Sequence, residues 1–299
     1  MFRNVAELVS LAEQHQVKIA EIMIRQEVEV SGLSREEVLA KMDQNLTVME
    51  RAIERGLNGV KSRTGLTGGD AVLLQNYIQS GKSLTGTLLL DAVSKAVATN
   101  EVNAAMGIIC ATPTAGSAGV VPGTLFAVKD KLNPTRQEMI EFLFTAGAFG
   151  FVVANNASIS GAAGGCQAEV GSASGMAAAA IVEMAGGSPK QSAEAMAITL
   201  KNMLGLVCDP VAGLVEVPCV KRNAMGASNA LTAADMALAG ITSRIPCDEV
   251  IGAMYAIGQS MPSALRETAE GGLAATPTGR RLEAEIFGQP REKLIDYLV

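Results

Sequence analysis

The sequence has few aromatic residues and no cluster of basic ones. Its 299 residues include no tryptophan, three tyrosines and seven phenylalanines, and the formal net charge is −6. Proteins that bind nucleic acids usually combine a basic patch with aromatic rings that stack on the bases. An acidic chain without either feature has no electrostatic basis for binding nucleic acid or an anionic membrane surface.

Histidine is almost absent, because the chain contains only His15. This residue lies in a charged N-terminal segment that we predict to be a solvent-exposed helix. Serine and cysteine nucleophiles are usually activated by a nearby histidine. We therefore expect no Ser–His or Cys–His pair, and no histidine of this chain is an obvious proton-abstracting base.

Charged residues make up only 18% of the chain, whereas hydrophobic residues make up 48%. No charge occurs from 102 to 128 or from 142 to 168. Each stretch is long enough to span a membrane, but both contain prolines or asparagines and many Thr, Ser and Gly residues. We therefore predict buried helices and a subunit interface in place of membrane spans.

The N-terminus lacks the apolar core and the small-residue cleavage site of a signal peptide. This predicts a cytoplasmic location, where stable disulfides are rare. The chain has five cysteines, an odd number that fits this location. We expect these cysteines to be free, catalytic or metal-binding.

Helix signals recur along the chain, whereas the period-two alternation typical of strands is nearly absent. We expect helices near 71–79 and 88–99 and in the alanine-rich run 176–184. Capping boxes, which mark helix starts, are predicted at Ser34 with Glu37, Thr135 with Glu138, and Ser188 with Gln191. The sequence therefore predicts an all-α protein with glycine-rich loops. No linker divides it, so residues 1–299 form one domain: an N-terminal helical preface (1–60), a core (61–278) and a peripheral tail (279–299).

Three cysteines lie in loops that are rich in glycine or proline. Cys166 ends the segment GAAGGC, Cys208 begins CDPVAG, and Cys219 ends VPC. Glycine lets the backbone approach a bulky ligand and proline holds a loop in one shape, while thiolates are the usual ligands of iron–sulfur clusters. The spacing matches no ordinary zinc pattern. The alternative is three buried thiols that act as small hydrophobic side chains.

The number of these cysteines has a chemical consequence. Three thiolates would ligate three irons of a four-iron cluster and leave one iron open to act as a Lewis acid on a hydroxyl group. Four thiolates would indicate electron transfer instead. We predict that Cys110 is a core residue and that Cys247 begins a helix, although either could be a fourth ligand.

A second glycine-rich segment, residues 112–119, reads TPTAGSAG. Consecutive backbone N–H groups beside small hydroxyl side chains form an anion cradle suited to a carboxylate or a phosphate. The segment is not a P-loop, because no Gly-Lys-Ser/Thr follows it. A tight turn between packed helices is the alternative.

Three segments resemble the signatures of iron–sulfur L-serine dehydratases: residues 165–171 (GCQAEVG), 208–219 (CDPVAGLVEVPC) and 111–119 (ATPTAGSAG). The resemblance runs from about residue 60 to residue 275 and is closest to the α chain of the two-chain form. The fold expected is thus an all-α helical domain whose glycine-rich loops surround an iron–sulfur cluster site.

The resemblance implies that Cys166, Cys208 and Cys219 hold a [4Fe–4S] cluster whose fourth iron meets the substrate. It also implies a lyase that converts L-serine to pyruvate and ammonia. In that reaction a base removes the Cα proton, the hydroxyl leaves, and the resulting aminoacrylate tautomerises to an imine that water hydrolyses.

Candidate substrate contacts follow from the resemblance together with the anion cradle. Asn103 is a candidate to orient the amine, and Thr67, Gly68 and Asp70 are candidate supporting or interface residues, with a purely structural role as the alternative. The candidates for binding the serine carboxylate are Thr112, Thr114, Gly116 and Ser117.

The sequence departs from single-chain members of the family in one respect. It lacks the N-terminal region with a Ser-His-Thr motif that supplies active-site groups in those proteins. We therefore expect a separate β chain to provide them in a hetero-oligomer, because His15 does not replace that motif.

Two other functions remain open from the residues alone. A pyridoxal-phosphate dehydratase could use residues 161–165 as a phosphate cradle and Lys61 or Lys201 as the Schiff-base lysine. A membrane or scaffold subunit without enzymatic activity would account for the uncharged stretches.

Overall fold

The computed structural model describes residues 1–288 of the chain. Helices dominate this part, which contains no β-strand, and the only β-type pairing within it is a single bridge between Cys208 and Arg266. The predicted all-α class is therefore confirmed. The α-helices are α1 (Val5–His15), α2 (Ile19–Ser31), α3 (Arg35–Leu57), α4 (Asp70–Gln79), α5 (Thr87–Ala104), α6 (Val120–Leu132), α7 (Arg136–Asn156), α8 (Gly161–Gly164), α9 (Ser172–Met184), α10 (Pro189–Lys201), α11 (Cys219–Leu238), α12 (Cys247–Ser260) and α13 (Pro277–Phe287).

The helix starts agree with the capping signals. All three predicted capping boxes are formed, at the first residues of α3, α7 and α10. Helix α5 continues about one turn beyond the predicted 88–99, and this added turn contains the buried Glu101. The Glu101 carboxylate accepts hydrogen bonds from the N–H groups of Asp70 and Ala71. It therefore caps α4, whose own cap residue, Gly69, has no side chain to do so.

Helix α9 forms the centre of the core and packs against α6, α7, α10 and α11. Its residues from Ser172 to Glu183 are all buried, and five of them are alanines between 173 and 180. Small side chains let neighbouring helices approach closely. Against Gly150 of α7, for example, the Met176 side chain fills the space that a Cβ would take. A π-helical turn, Gln167–Gly171, leads directly into α9 and carries the Cys166 segment into this core.

The N-terminal preface packs on the rest of the protein. Phe2, Leu8 and Ile24 belong to the same buried cluster as Phe149, and helix α2 packs along α7. His15 is exposed at the end of α1, as expected. Part of the predicted tail is the helix α13, and the remainder, residues 289–299, lies outside the described residues.

Helix α7 is long and apolar enough to cross a membrane by length and composition, and it is the one helix of residues 1–288 that meets these criteria. Within its most apolar window, 67% of the residues are buried inside the protein. Packing in the core therefore accounts for its hydrophobic composition.

Candidate functional site

The fold brings the three predicted cluster ligands together from three separate segments. Cys166 immediately precedes the π-helical turn, Cys208 lies in an extended segment, and Cys219 begins α11. All three side chains are buried, and all three thiols are free. The charge on Cys166 influences the ionisation of both Cys208 and Cys219, so the three sulfurs share one electrostatic environment.

The three thiols differ in the direction in which their surroundings shift the pKa. A hydrogen bond donated by Cys208 lowers the pKa of Cys166, and the positive charge of Arg222 lowers it further. The same hydrogen bond and burial raise the pKa of Cys208. Burial raises the pKa of the Cys219 thiol to about 12. Metal ligation requires thiolates, so Cys166 is the group that most readily supplies one, and the other two must lose protons when a metal binds.

Glu169 connects the cysteines to the glycine-rich segment 112–119. Its carboxylate accepts a 2.8 Å hydrogen bond from the Thr114 hydroxyl, and the Cys208 thiol lies 3.9 Å from its other oxygen. Burial raises the pKa of Glu169, and the nearby charge of Glu267 raises it further. A Cβ atom on Gly161 would lie 2.8 Å from both the Cys208 sulfur and the Glu169 carboxylate. Glycine at position 161 therefore lets the backbone pack closely against both groups, where a side chain would not fit.

The predicted anion cradle forms a compact loop anchored by buried amide side chains. Asn100 and Asn223 both donate to the carbonyl of Gly116, at 3.1 and 2.8 Å. Asn223 also accepts a hydrogen bond from the N–H of Gly119. Asn103, the predicted amine contact, donates to the carbonyl of Ala115. The conformation of the loop is thus set by side chains from α5 and α11.

The predicted carboxylate contacts take different positions in this loop. Ser117 is fully buried, and its hydroxyl bonds to the carbonyl of Thr112 at 3.1 Å, so it holds the loop closed. Thr112 and Thr114 are half-buried. Ala115 and Gly116 are the first two residues of the 3-10 turn Ala115–Ser117, so their N–H groups have no acceptor within that turn. These two N–H groups remain available to an anion.

Arg222 lies one helical turn after Cys219 and is mostly buried, with its side chain 14% exposed. It donates to the carbonyl of Val207 at 2.7 Å and to the carboxylate of Asp209 at 2.8 Å. These two residues flank Cys208 in the sequence. A single guanidinium group therefore connects the helix of one predicted ligand to the segment of another.

The arrangement fits a cluster better than a single ion. No three His, Cys, Asp or Glu side chains in the described part of the chain lie close enough to hold one metal ion. An iron–sulfur cluster is ligated at separate irons, so its thiolates need not meet at one point. The donor set of three buried thiols with a neighbouring cation suits an anionic thiolate-bound cluster.

The remaining candidates lie elsewhere or act indirectly. Cys110 is half-buried and packs against the core, and Cys247 is buried at the first turn of α12, as predicted for both. Lys61 is exposed, and the ammonium group of Lys201 donates to the carbonyl of Ser243. Neither lysine is bonded to residues 161–165.

The predicted supporting residues reach the cysteine segments through two contacts. The Thr67 hydroxyl donates to the buried Glu216 carboxylate at 3.0 Å, and Asp70 pairs with Lys221 at 2.8 Å. Gly68 has a φ of 134° and lies against the backbone at Val60, where a side chain would not fit. Thr67 and Asp70 therefore contact two residues that flank Cys219 in the sequence, Glu216 before it and Lys221 after it.

Sequence reasoning did not assign Glu169, Arg222 or Asp209. A usable signal existed for Glu169, because it is the first charged residue after the uncharged stretch 142–168 and follows a predicted ligand by three positions. A charge in such a setting is usually buried with partners. Arg222 and Asp209 offered no such signal, because their pairing depends on how two distant segments meet.

Comparison with known proteins gives consistent matches. A family model described as "Serine dehydratase alpha chain" matches residues 14–274. The chain is 80% identical over 288 residues to "Probable L-serine dehydratase, alpha chain" of Bacillus subtilis (strain 168), covering 96% of each protein. It is 43% identical over 288 residues to "L-serine dehydratase, alpha chain" of Peptoniphilus asaccharolyticus, covering 96% of this chain and 99% of that protein. It is 38% identical over 281 residues to "L-serine dehydratase TdcG" of Escherichia coli (strain K12), covering 91% of this chain and 61% of that protein.

Proposed function

The chain belongs to the family of L-serine dehydratase alpha chains, and we propose that it is the cluster-bearing chain of an enzyme that converts L-serine to pyruvate and ammonia. The observation that carries this proposal is the burial of the three thiols in one electrostatic environment, with Glu169 linking Cys208 to Thr114 of the loop 112–119. Relatives named as alpha chains of L-serine dehydratase support it, including one that is 80% identical.

Cys166, Cys208 and Cys219 would hold a [4Fe–4S] cluster. Such a cluster with three protein ligands supplies a Lewis acid that helps a hydroxyl group leave. The charge of Arg222 beside Cys166 favours the thiolate form that ligation needs. The Glu169 carboxylate lies 3.9 Å from the Cys208 sulfur, and the backbone at Gly161 packs against both groups.

The loop 112–119 would bind the substrate carboxylate. The N–H groups of Ala115 and Gly116 offer two hydrogen-bond donors to a negative charge. The hydroxyls of Thr112 and Thr114 border the same loop, whereas Ser117 and Asn103 keep its shape.

We propose that the acid–base groups are completed by a β chain. The single histidine is exposed in α1 and touches none of the site segments. The alpha-chain naming of the family implies a second kind of chain. The proposed assembly is thus a hetero-oligomer whose active site is shared between two chains. Its free thiols suit the reducing cytoplasm.

Anaerobic reconstitution with iron and sulfide tests the proposal. The chain should gain a broad visible absorption near roughly 400 nm, as expected of thiolate-ligated iron. The absorption should disappear when Cys166, Cys208 and Cys219 are changed together to Ser. The matched control, Cys110→Ser, should keep it, because Cys110 lies outside the site.

Activity provides the second part of the test. Co-expression with a β chain under anaerobic conditions should give pyruvate from L-serine, and the triple variant should give none. Full activity of the triple variant would exclude the cluster, and full activity of the wild-type chain alone would exclude the shared site.

A further inference from the structure

Helix α11 begins at one proposed ligand and carries a charged side chain toward another. Cys219 is its first residue, and Arg222 follows three positions later, so both lie on the same face of the helix. The Arg222 guanidinium is directed to the segment around Cys208. It donates to the carbonyl of Val207 at 2.7 Å and to the carboxylate of Asp209 at 2.8 Å.

Arg222 thus makes two hydrogen bonds, one to the residue before Cys208 and one to the residue after it. A planar guanidinium that makes two hydrogen bonds fixes direction as well as distance, which a lysine ammonium cannot do. Both side chains of the ion pair are shielded from solvent, with Arg222 14% exposed and Asp209 5% exposed. A shielded pair is screened little by salt. Arg222 therefore ties the residues on either side of Cys208 to the helix that begins at Cys219.

Asp209 is itself held on its other side. Its second carboxylate oxygen accepts a 2.7 Å hydrogen bond from the N–H of Leu273. Gly272, with a φ of 58°, lies so close that any side chain there would overlap the Asp209 carboxylate. The segment before α13 thus holds Asp209 in place, and Asp209 holds Arg222.

The backbone of Cys208 is fixed by the same C-terminal segment. The N–H of Cys208 donates to the carbonyl of Leu265 at 2.9 Å, and its carbonyl accepts from the N–H of Glu267 at 2.7 Å. Cys208 is thus anchored through its backbone on one side, and its two neighbours are anchored through Arg222 on the other. Groups that orient metal ligands in this way usually have large effects on metal affinity.

We propose that Arg222, held by Asp209, is the positioning residue that sets the Cys208 and Cys219 thiolates for the cluster and places a positive charge beside the Cys166 sulfur. The inference rests on the proposed function, because it concerns the same cluster. It assigns to this chain a basic residue that orients the ligands without touching the substrate.

The test uses the whole chain, reconstituted anaerobically, in the variants Arg222→Gln, Arg222→Lys and Asp209→Asn. Iron content and the rate at which the visible absorption bleaches in air are measured for each. Arg222→Gln should bind iron roughly tenfold more weakly or worse, as is typical when a group supporting a metal ligand is removed. Arg222→Lys and Asp209→Asn should bind iron with an affinity between those of the wild type and Arg222→Gln. Arg136→Gln, which breaks an ion pair with Asp43 between α3 and α7, is the matched control and should behave as wild type.

The midpoint potential of the bound cluster separates positioning from simple loss of stability. A cation close to the sulfurs favours the more negative, reduced cluster. The potential should therefore fall in Arg222→Gln and stay near the wild-type value in Arg222→Lys. General destabilisation of the fold would lower the melting temperature of the variants but would not lower the midpoint potential of Arg222→Gln below that of Arg222→Lys.

Each outcome decides a different claim. A wild-type chain that takes up no cluster would contradict the proposed function. A wild-type chain that loads normally, with Arg222→Gln equal to it in iron content, bleaching rate and potential, would overturn the role of Arg222 alone. If Arg222→Gln does not fold, wild-type behaviour of both Arg222→Lys and Asp209→Asn would overturn it equally.

Discussion

The Thr114 hydroxyl donates a 2.8 Å hydrogen bond to the carboxylate of Glu169, and this bond joins the proposed substrate loop to the Cys166 segment. Glu169 is largely buried, and its second oxygen lies 3.9 Å from the Cys208 sulfur. The N–H of Gly161 and the Cys208 thiol also offset the cost of burying this carboxylate. The Thr114 hydroxyl therefore couples the geometry of the substrate loop to that of the segment that contains Cys166 and Glu169.

Replacing Thr114 with Val should disrupt this coupling while keeping the shape of the side chain. A hydrogen bond to a charged group contributes about 1.5–3 kcal/mol, so kcat/KM for L-serine should fall roughly tenfold to a hundredfold. Thr114→Ser retains the hydroxyl and should stay within a few-fold of wild type. Steady-state kinetics of the two-chain enzyme checks this, and equal kcat/KM for the Val and Ser variants would contradict it.

The variant Gly161→Ala should damage the site without unfolding the protein. Its Cβ would lie 2.8 Å from the Cys208 sulfur and from the Glu169 carboxylate, and such crowding costs about 1–3 kcal/mol. We expect cluster loading to fall sharply while the circular dichroism spectrum stays helical. Normal loading would show that the cluster lies elsewhere.

Gly252→Ala is the matched control for Gly161→Ala. Gly252 is in the middle of α12, is exposed and has nothing within 4 Å of the added atom. The substitution should raise the free energy of unfolding by up to about 1 kcal/mol and leave cluster loading unchanged.

Asn223→Ala should loosen the substrate loop. The Asn223 side chain is fully buried and bonds to Gly116, Gly119 and the carbonyl of Cys219. Unsatisfied buried groups cost about 1–3 kcal/mol each, so chemical denaturation should show that the free energy of unfolding falls by at least this amount. Steady-state kinetics should show a raised KM for L-serine. Asn229→Ala, on the same helix, removes contacts to Thr199 and Asn202 only, so its KM should be normal. A raised KM in both variants would contradict a specific role for Asn223.

Glu183 should give the fold a pH-dependent contribution far from the cysteines. Burial is the main cause that raises its pKa, even though it accepts hydrogen bonds from Thr145 and from the N–H groups of Ile19 and Ala20. Because the folded pKa is the higher one, ionisation is more costly in the folded state. Its stabilising contribution is thus fully present below the ordinary glutamate pKa, about 4.3, and is lost as the pH rises through the folded value.

The comparison that isolates this effect is wild type against Glu183→Gln. The difference in free energy of unfolding, wild type minus variant, should become smaller as the pH rises from about 4 to about 7. A difference that grows over this range would contradict the assignment. Thermal or urea denaturation at several pH values provides the measurement.

Much of the helical framework was predictable because its signals are local. Ser34, Thr135 and Ser188 each satisfy a free N–H within their own helix start, so the sequence nearby contains all the information. The end of α5 was not predicted, because Glu101 is held there by its contact with α4. That contact depends on tertiary packing.

The cysteine segments stand out in the sequence by their glycine and proline flanks and by the family resemblance, and their role as cluster ligands stays a prediction. Their supporting groups were not. The ion pair of Asp209 and Arg222 joins residues from two segments, and the N–H of Leu273 reaches Asp209 across 64 positions. No periodicity or spacing in the sequence predicts such a contact, since it arises when the segment before α13 folds back over Cys208.

Mössbauer spectroscopy of the anaerobically reconstituted two-chain enzyme, with and without L-serine, tests the central claim most directly. With three cysteine ligands, one iron of each cluster has no protein thiolate and should change its spectrum when L-serine is added, while the other three stay as they were. Four equivalent irons that do not respond to L-serine, or a protein that binds no iron, would contradict the account.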